Sequence, residues 1–212
     1  MDELRLFIAA CCPASAAIER LLERLERLRP MVSPVAANQL HFTLRFLGQT
    51  PADRLESLAQ AVDRAVEAAG VPAFELDWAG LGRFPPGSGQ RLRIVFAQPA
   101  DPTPLMRLAQ AVSDELARLN PPIPPDPRGF TAHLTLARVK PDRRRPQRGR
   151  RVPRYQRQQA GGDARAAIER ILRESEGQPM GRSRIEAVRL IASELTPAGP
   201  VYTTCHEAAL RG

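Results

Sequence analysis

The sequence predicts a duplicated fold of mixed strands and helices, in which two similar lobes face one cleft. Two observations carry that expectation. The tetrapeptide H-x-T-L occurs twice, at His41-Phe42-Thr43-Leu44 and His133-Leu134-Thr135-Leu136, each time in a stretch that reads as a β-strand. The predicted elements also run strand, helix, strand, helix, strand, strand, helix, strand, so each signature strand comes with helices and a partner strand. Beyond the motif the two halves are not closely similar. The pseudo-twofold axis therefore rests on the motif and the order of elements alone.

Met1-Asp2-Glu3-Leu4 places acids where a signal peptide needs bases, and the apolar run Leu6 to Cys12 is too short to span a bilayer. That run reads as a buried first strand, ended by Pro13. Ile18, Leu21, Leu22, Leu25 and Leu28 then recur at helical spacing, a core-facing stripe closed by Pro30 to Pro34. The strand carrying His41 follows. Thr50-Pro51-Ala52-Asp53 predicts a helix start, with Thr50 as cap, proline in the first position and an acid in the first turn. Leu55, Leu58, Val62 and Val66 form its apolar face, and Gly70 stops it. Phe74 to Leu81 reads as a strand, Gly82 to Gln90 as a turn, and Leu92 to Phe96 as the partner strand. Thr103-Pro104 opens a helix through Leu105, Leu108, Val112 and Leu119, and Pro121 to Pro127 is a stiff loop that delivers the second signature strand. A helix from Asp163 to about Ser175 precedes two closing strands, Ile185 to Ala192 and Val201 to Cys205, joined by a turn from Ser193 to Pro200.

A net charge of +8 points to a polyanionic partner and says nothing of the fold. The three cysteines, two of them adjacent, make neither a disulfide framework nor a zinc spacing and fit a reducing cytosol. Lys140 to Arg157 carries eight arginines among prolines and glutamines with almost no aliphatic residues, which predicts a mobile insertion at about 140–160. It reads either as an arginine arm on a phosphate backbone or as a solvated insertion. Tyr155 is its one aromatic, too little for a base-stacking platform. No apolar stripe is left over after the helices' core faces, which predicts a monomer.

The motif spacing has a chemical reading. Alternation along a strand places His41 with Thr43 on one face and Phe42, Leu44 and Phe46 on the other. The same parity joins His133 to Thr135 and sends Ala132, Leu134 and Leu136 inward. Two imidazoles, one neutral and one protonated, can deprotonate a water while protonating a leaving oxygen. Threonine hydroxyls donate to an oxyanion such as phosphate. Together they suggest phosphodiester chemistry with no metal, since two histidines without a third ligand leave a zinc site incomplete. His206 lacks the threonine two places on and reads as surface or structural.

His41-Phe42-Thr43-Leu44-Arg45-Phe46-Leu47-Gly48 and Phe130-Thr131-Ala132-His133-Leu134-Thr135-Leu136-Ala137-Arg138 closely resemble the paired signatures of the two-histidine phosphoesterase superfamily. Within it the chain is similar to the bacterial RNA 2',3'-cyclic phosphodiesterases, also called 2'-5' RNA ligases. Arg5-Leu6-Phe7-Ile8-Ala9, Gly82-Arg83-Phe84-Pro85 and Gly199-Pro200-Val201-Tyr202 extend the resemblance over nearly the whole chain. The arginine-rich insertion is the main departure.

The resemblance implies a bilobal α+β fold over residues 1–212, with two mainly antiparallel sheets around a central cleft and helices outside. It implies hydrolysis of a 2',3'-cyclic phosphate at an RNA end to a 2'-phosphate, in the cytoplasm, with no cofactor. His41 would protonate the departing 3' oxygen and His133 would activate the water, while Thr43, Thr135 and Arg138 would hold the phosphate. Strict alternation puts Arg138 on the face opposite His133 unless the strand bulges near Ala137. Arg45, which shares parity with His41, is the substitute, and Phe46 and Phe84 are candidates to stack on a base. A hydrolase of small cyclic nucleotides, a ligase running the reaction in reverse, and an RNA-binding protein without turnover are the alternatives.

Overall fold

The computed structural model describes residues 2–29, 31–86, 91–140, 166–197 and 199–211. The arginine-rich stretch expected to be mobile lies outside the described residues from position 141 to 165. In chain order the strands are β1 (Glu3–Cys11), β2 (Val32–Pro34), β3 (His41–Pro51), β4 (Phe74–Phe84), β5 (Ile94–Pro99), β6 (Leu134–Val139), β7 (Arg182–Ile185), β8 (Ala187–Thr196) and β9 (Gly199–Ala209). The helices are α1 (Ala16–Glu26), α2 (Leu55–Ala69), α3 (Thr103–Ala117) and α4 (residues 166–174). All strand pairs are antiparallel, in a four-stranded sheet ordered β3-β1-β8-β9 and a five-stranded sheet ordered β2-β6-β5-β4-β7.

Helices cover one face of each sheet. α2 and α3 pack on each other and on the four-stranded sheet, α2 against β8 and β9 and α3 against β3. α1 lies on the other sheet against β2 and β6. Its leucine stripe goes where the spacing sent it, with Ile18, Leu21, Leu22 and Leu25 buried and Ser15 accepting a hydrogen bond from the Ile18 amide as cap. Arg24 pairs with Glu174 and Arg83 with Glu169, which ties α4 to α1 and β4. One continuous core holds Leu6, Ile8 and Phe42 together with Leu58, Leu105, Leu134 and Leu136. A second, small cluster of Phe7, Ala9 and Ile191 sits on the opposite face of the four-stranded sheet. No described helix is long and apolar enough to cross a membrane.

Several boundaries depart from the sequence reading. Thr50 caps no helix: β3 keeps pairing with β1 as far as Glu3↔Pro51, the Thr50 hydroxyl donates to the Gly48 carbonyl, and α2 begins at Leu55 after a short 3-10 turn, Ala52–Arg54. Cross-strand pairing here outweighs a local start signal. Gly70 does end α2, in the left-handed conformation at φ 55°. β4 runs on through Gly82 to Phe84, so Gly82 serves close approach instead of a turn. A Cβ on Gly82 would stand 2.4 Å from the Phe96 ring on β5. β5 starts at Ile94, two residues later than Leu92. The short strands β2 and β7 were not foreseen, and the closing hairpin is longer than expected, pairing to Thr196↔Gly199.

Candidate active site

Registers decide which side chains meet in the cleft, because residues directly opposite each other across an antiparallel pair share a face. On β3 and β1 the opposed pairs His41↔Cys11, Thr43↔Ala9 and Phe46↔Phe7 lie on the face away from the helices, with the small apolar cluster. Phe42↔Ala10 and Arg45↔Ile8 lie on the helix face. Between Thr43 and Arg45 the register skips Leu44, a β-bulge that reverses the alternation. On β6 the register passes from Phe96↔Thr135 to Val95↔Ala137 and skips Leu136, the same position of the second motif. The carbonyl of Leu136 accepts a hydrogen bond from the Val35 amide at 2.8 Å, so the bulge leaves it satisfied.

Both bulges correct the strict-alternation reading. Beyond Leu44, Phe46 turns into the cleft and is 55% exposed, while Arg45 turns to the helix side and donates to the Pro124 carbonyl in the proline-rich loop. Arg45 therefore does not join His41. Beyond Leu136, buried Ala137 faces the core and Arg138 turns outward on the side of Thr135. The positions five places after each histidine, Phe46 and Arg138, are thus equivalent.

The histidines have matching supports. His41, the first residue of β3, donates its Nδ1–H to the Gln39 carbonyl at 2.7 Å. His133, which immediately precedes β6, donates its Nδ1–H to the Thr131 carbonyl at 2.8 Å. A carbonyl cannot donate, so each contact fixes the tautomer and leaves Nε2 free to take or give a proton. Aromatic rings frame both. His41 lies 5.0 Å from Phe7 and edge-on to Tyr202 at 5.5 Å; His133 is edge-on to Phe84 at 5.2 Å and to Phe96 at 5.6 Å. Phe84 in turn stacks on Phe96 at 4.4 Å.

Strands β3 and β6 approach each other, and the electrostatics register their proximity. Burial lowers the His41 pKa; the Gln39 carbonyl opposes that, and the electrostatic influence of Arg138 and then of His133 lowers it further. Burial raises the Tyr202 phenol, which Arg138 and Arg5 pull back down. Arg138 thus acts on two cleft residues from the other sheet. Among the described residues the hydroxyls of Thr43 and Thr135 have no hydrogen-bond partner, and no three His, Cys, Asp or Glu side chains gather as metal ligands. His206 is elsewhere, bonded through Nε2 to Asp63 at 2.8 Å.

The sequence reading gave no site role to Phe7, Phe96 and Tyr202, which frame the imidazoles, or to Gly82, which admits Phe96. Phe7 was hidden in an unbroken apolar run whose alternate members face opposite sides of the sheet.

The model of the 2'-5' RNA ligase superfamily matches residues 13–172. A protein of Archaeoglobus fulgidus named RNA 2',3'-cyclic phosphodiesterase is 31% identical over 202 residues, covering 94% of this chain and 96% of its own. One of the same name from Methanothermobacter thermautotrophicus is 27% identical over 186 residues, covering 88% and 86%. Among solved structures, TT0787 of Thermus thermophilus superposes with a TM-score of 0.69 at 28% identity, with 99% of both chains covered.

Proposed function

The chain belongs to the 2'-5' RNA ligase superfamily, and from that membership we propose that its cleft hydrolyses the terminal 2',3'-cyclic phosphate of an RNA to a 2'-phosphate, without a metal. The observation that carries this reading is the pair of imidazoles, each with Nδ1 bound to a carbonyl and Nε2 free, set beside two hydroxyls and one guanidinium. His133 Nε2 takes a proton from water as the water oxygen bonds to phosphorus. The bond from phosphorus to the 3' oxygen breaks, and His41 Nε2–H supplies that oxygen with its proton. Thr43, Thr135 and Arg138 hold the non-bridging oxygens as charge builds on them.

His41 must be charged to act as the acid, and its burial disfavours that charge. A seated phosphate anion offsets both the burial and the repulsion from Arg138, so the substrate itself helps to load the proton. The phenyl groups of Phe46 and Phe84 flank the site as surfaces for the terminal base.

A 2',3'-cyclic mononucleotide incubated with the protein and EDTA tests the proposal, with the product read by phosphorus NMR. A 2'-phosphate is expected. No turnover, or loss of turnover to the chelator, would overturn it.

A further inference from the structure

An open groove of about 1410 Å3 lies between α1 and the ends of β2, β5 and β6. It exceeds the roughly 300–1,000 Å3 of a small-molecule pocket, so its size suits a chain better than a single nucleotide. Three of its residues connect it to the catalytic cleft. Gln39 supports His41 through its carbonyl and donates from its side chain to the carbonyl of Pro200, which also lines the groove. Arg138, the third, reaches both His41 and Tyr202 electrostatically.

The groove has two chemically distinct walls. Arg91, Arg93, Arg138 and Lys140 form one, all exposed and none in an ion pair with a described residue. Elsewhere arginines such as Arg24, Arg64, Arg83, Arg182 and Arg189 are held by carboxylates. The wall is rigid at its base. Leu92 is buried between Arg91 and Arg93, the Val139 amide donates to the Arg93 carbonyl at 2.8 Å, and the Lys140 amide donates to the Met31 carbonyl at 3.0 Å. Glu19, Glu23 and Glu26 form the other wall, on one face of α1; Arg29 neutralises Glu26, and Glu19 and Glu23 are exposed.

We propose that this groove holds the RNA strand on the 5' side of the cyclic phosphate, its phosphates on the basic wall and its ribose hydroxyls and base amino groups toward Glu19 and Glu23. The proposal rests on the cleft being the phosphodiesterase site. A cyclic phosphate ends its chain, so every further nucleotide lies on the 5' side and must leave the cleft by one exit. A single strand has acceptor phosphates along one edge and donor-bearing hydroxyls and bases along the other, which matches a cation wall facing a carboxylate wall.

The test compares the protein with an Arg91→Gln/Arg93→Gln double variant on two substrates: a 2',3'-cyclic mononucleotide, and a single-stranded oligoribonucleotide ending in the same nucleotide. The unsubstituted protein should have a KM at least about tenfold lower for the oligonucleotide, and two phosphate contacts removed should reduce the salt slope of its binding by about 1.4. Mononucleotide turnover should be unchanged in the variant, which also reports that it folds. Equal KM values for the two substrates in the unsubstituted protein, or an oligonucleotide KM and salt slope untouched by the double substitution, would overturn the groove. Fluorescence anisotropy of the same oligonucleotide reads the groove separately from turnover, so failure of the catalytic reading shows as intact binding with neither substrate consumed.

Discussion

The two halves of the cleft agree for three residues and then part. Each offers an imidazole tied through Nδ1 to a carbonyl, a free threonine hydroxyl two places on, and a bulged leucine next. At the following cleft-facing position one half carries the exposed ring of Phe46 and the other the guanidinium of Arg138. Under the proposed chemistry the likeness gives two proton-transfer groups of the same kind and the difference gives direction, with Arg138 on the phosphate. Burial depresses the His41 pKa on the side with Phe7, Phe46 and Tyr202, and the Arg138 charge reaches across to depress it further.

The hardest blow to the shared part is loss of an imidazole. His41→Ala and His133→Ala should each lower kcat on the cyclic mononucleotide by about 10²–10⁴-fold, and the double variant should be little worse than either. Losses that simply multiply would mean the two histidines do not act as one unit.

Thr43→Ala and Thr135→Ala should each lower kcat/KM by about tenfold to a hundredfold, as expected for a hydrogen bond to a charged group. Near-equal losses support the pairing, and an effect of one alone would confine phosphate binding to one half.

The unequal position is probed by Arg138→Gln and Phe46→Ala. Arg138→Gln should raise KM about tenfold for every phosphate substrate, since a hydrogen bond to a charged group is removed. Phe46→Ala should raise it less and differently for different bases. A matching response of the two variants would erase the distinction between them.

Smallest, and most specific, is a displaced pH limb. An acid works while it holds its proton, so activity falls as pH rises through its pKa. With the His41 pKa lowered from its ordinary value of 6.5 by burial, the alkaline limb of kcat/KM, which reports the free protein, should fall below that value. The same limb in kcat should lie higher, because the bound phosphate favours the imidazolium. Arg138→Gln removes a positive neighbour and should move the kcat/KM limb upward. Should the acidic limb be displaced instead, His41 is the base and His133 the acid.

Much of the cleft was legible in the sequence, because it depends on spacing. The two motifs, the α1 stripe and the Gly70 stop come from local periodicity and backbone freedom, and the facing of His41 with Thr43 needs only the pleat. The path of the chain past Leu44 and Leu136 was not legible, since a bulge is decided by the partner strand. Nothing in His133 to Arg138 announces that Leu136 will be skipped by β5, although the conflict between Arg138 and strict parity marked the place. Thr50 misled for a related reason: its start signal is sound for an isolated segment, but the β1 edge offered β3 further ladder bonds. β2, only three residues ending in proline, is too short to carry a pattern.

The matched bulges also make residue count a chemical variable. Each skipped leucine is the residue its strand can lose with the pleat made even: with Leu44 or Leu136 deleted, Arg45, Phe46, Ala137 and Arg138 keep their present faces. With the leucines kept and the bulges ironed flat, Arg138 would be driven into oil and Ala137 would take its place in the cleft, while in the other motif Arg45 and Phe46 would trade places. The extra residue, more than the identity of its side chain, aims these groups.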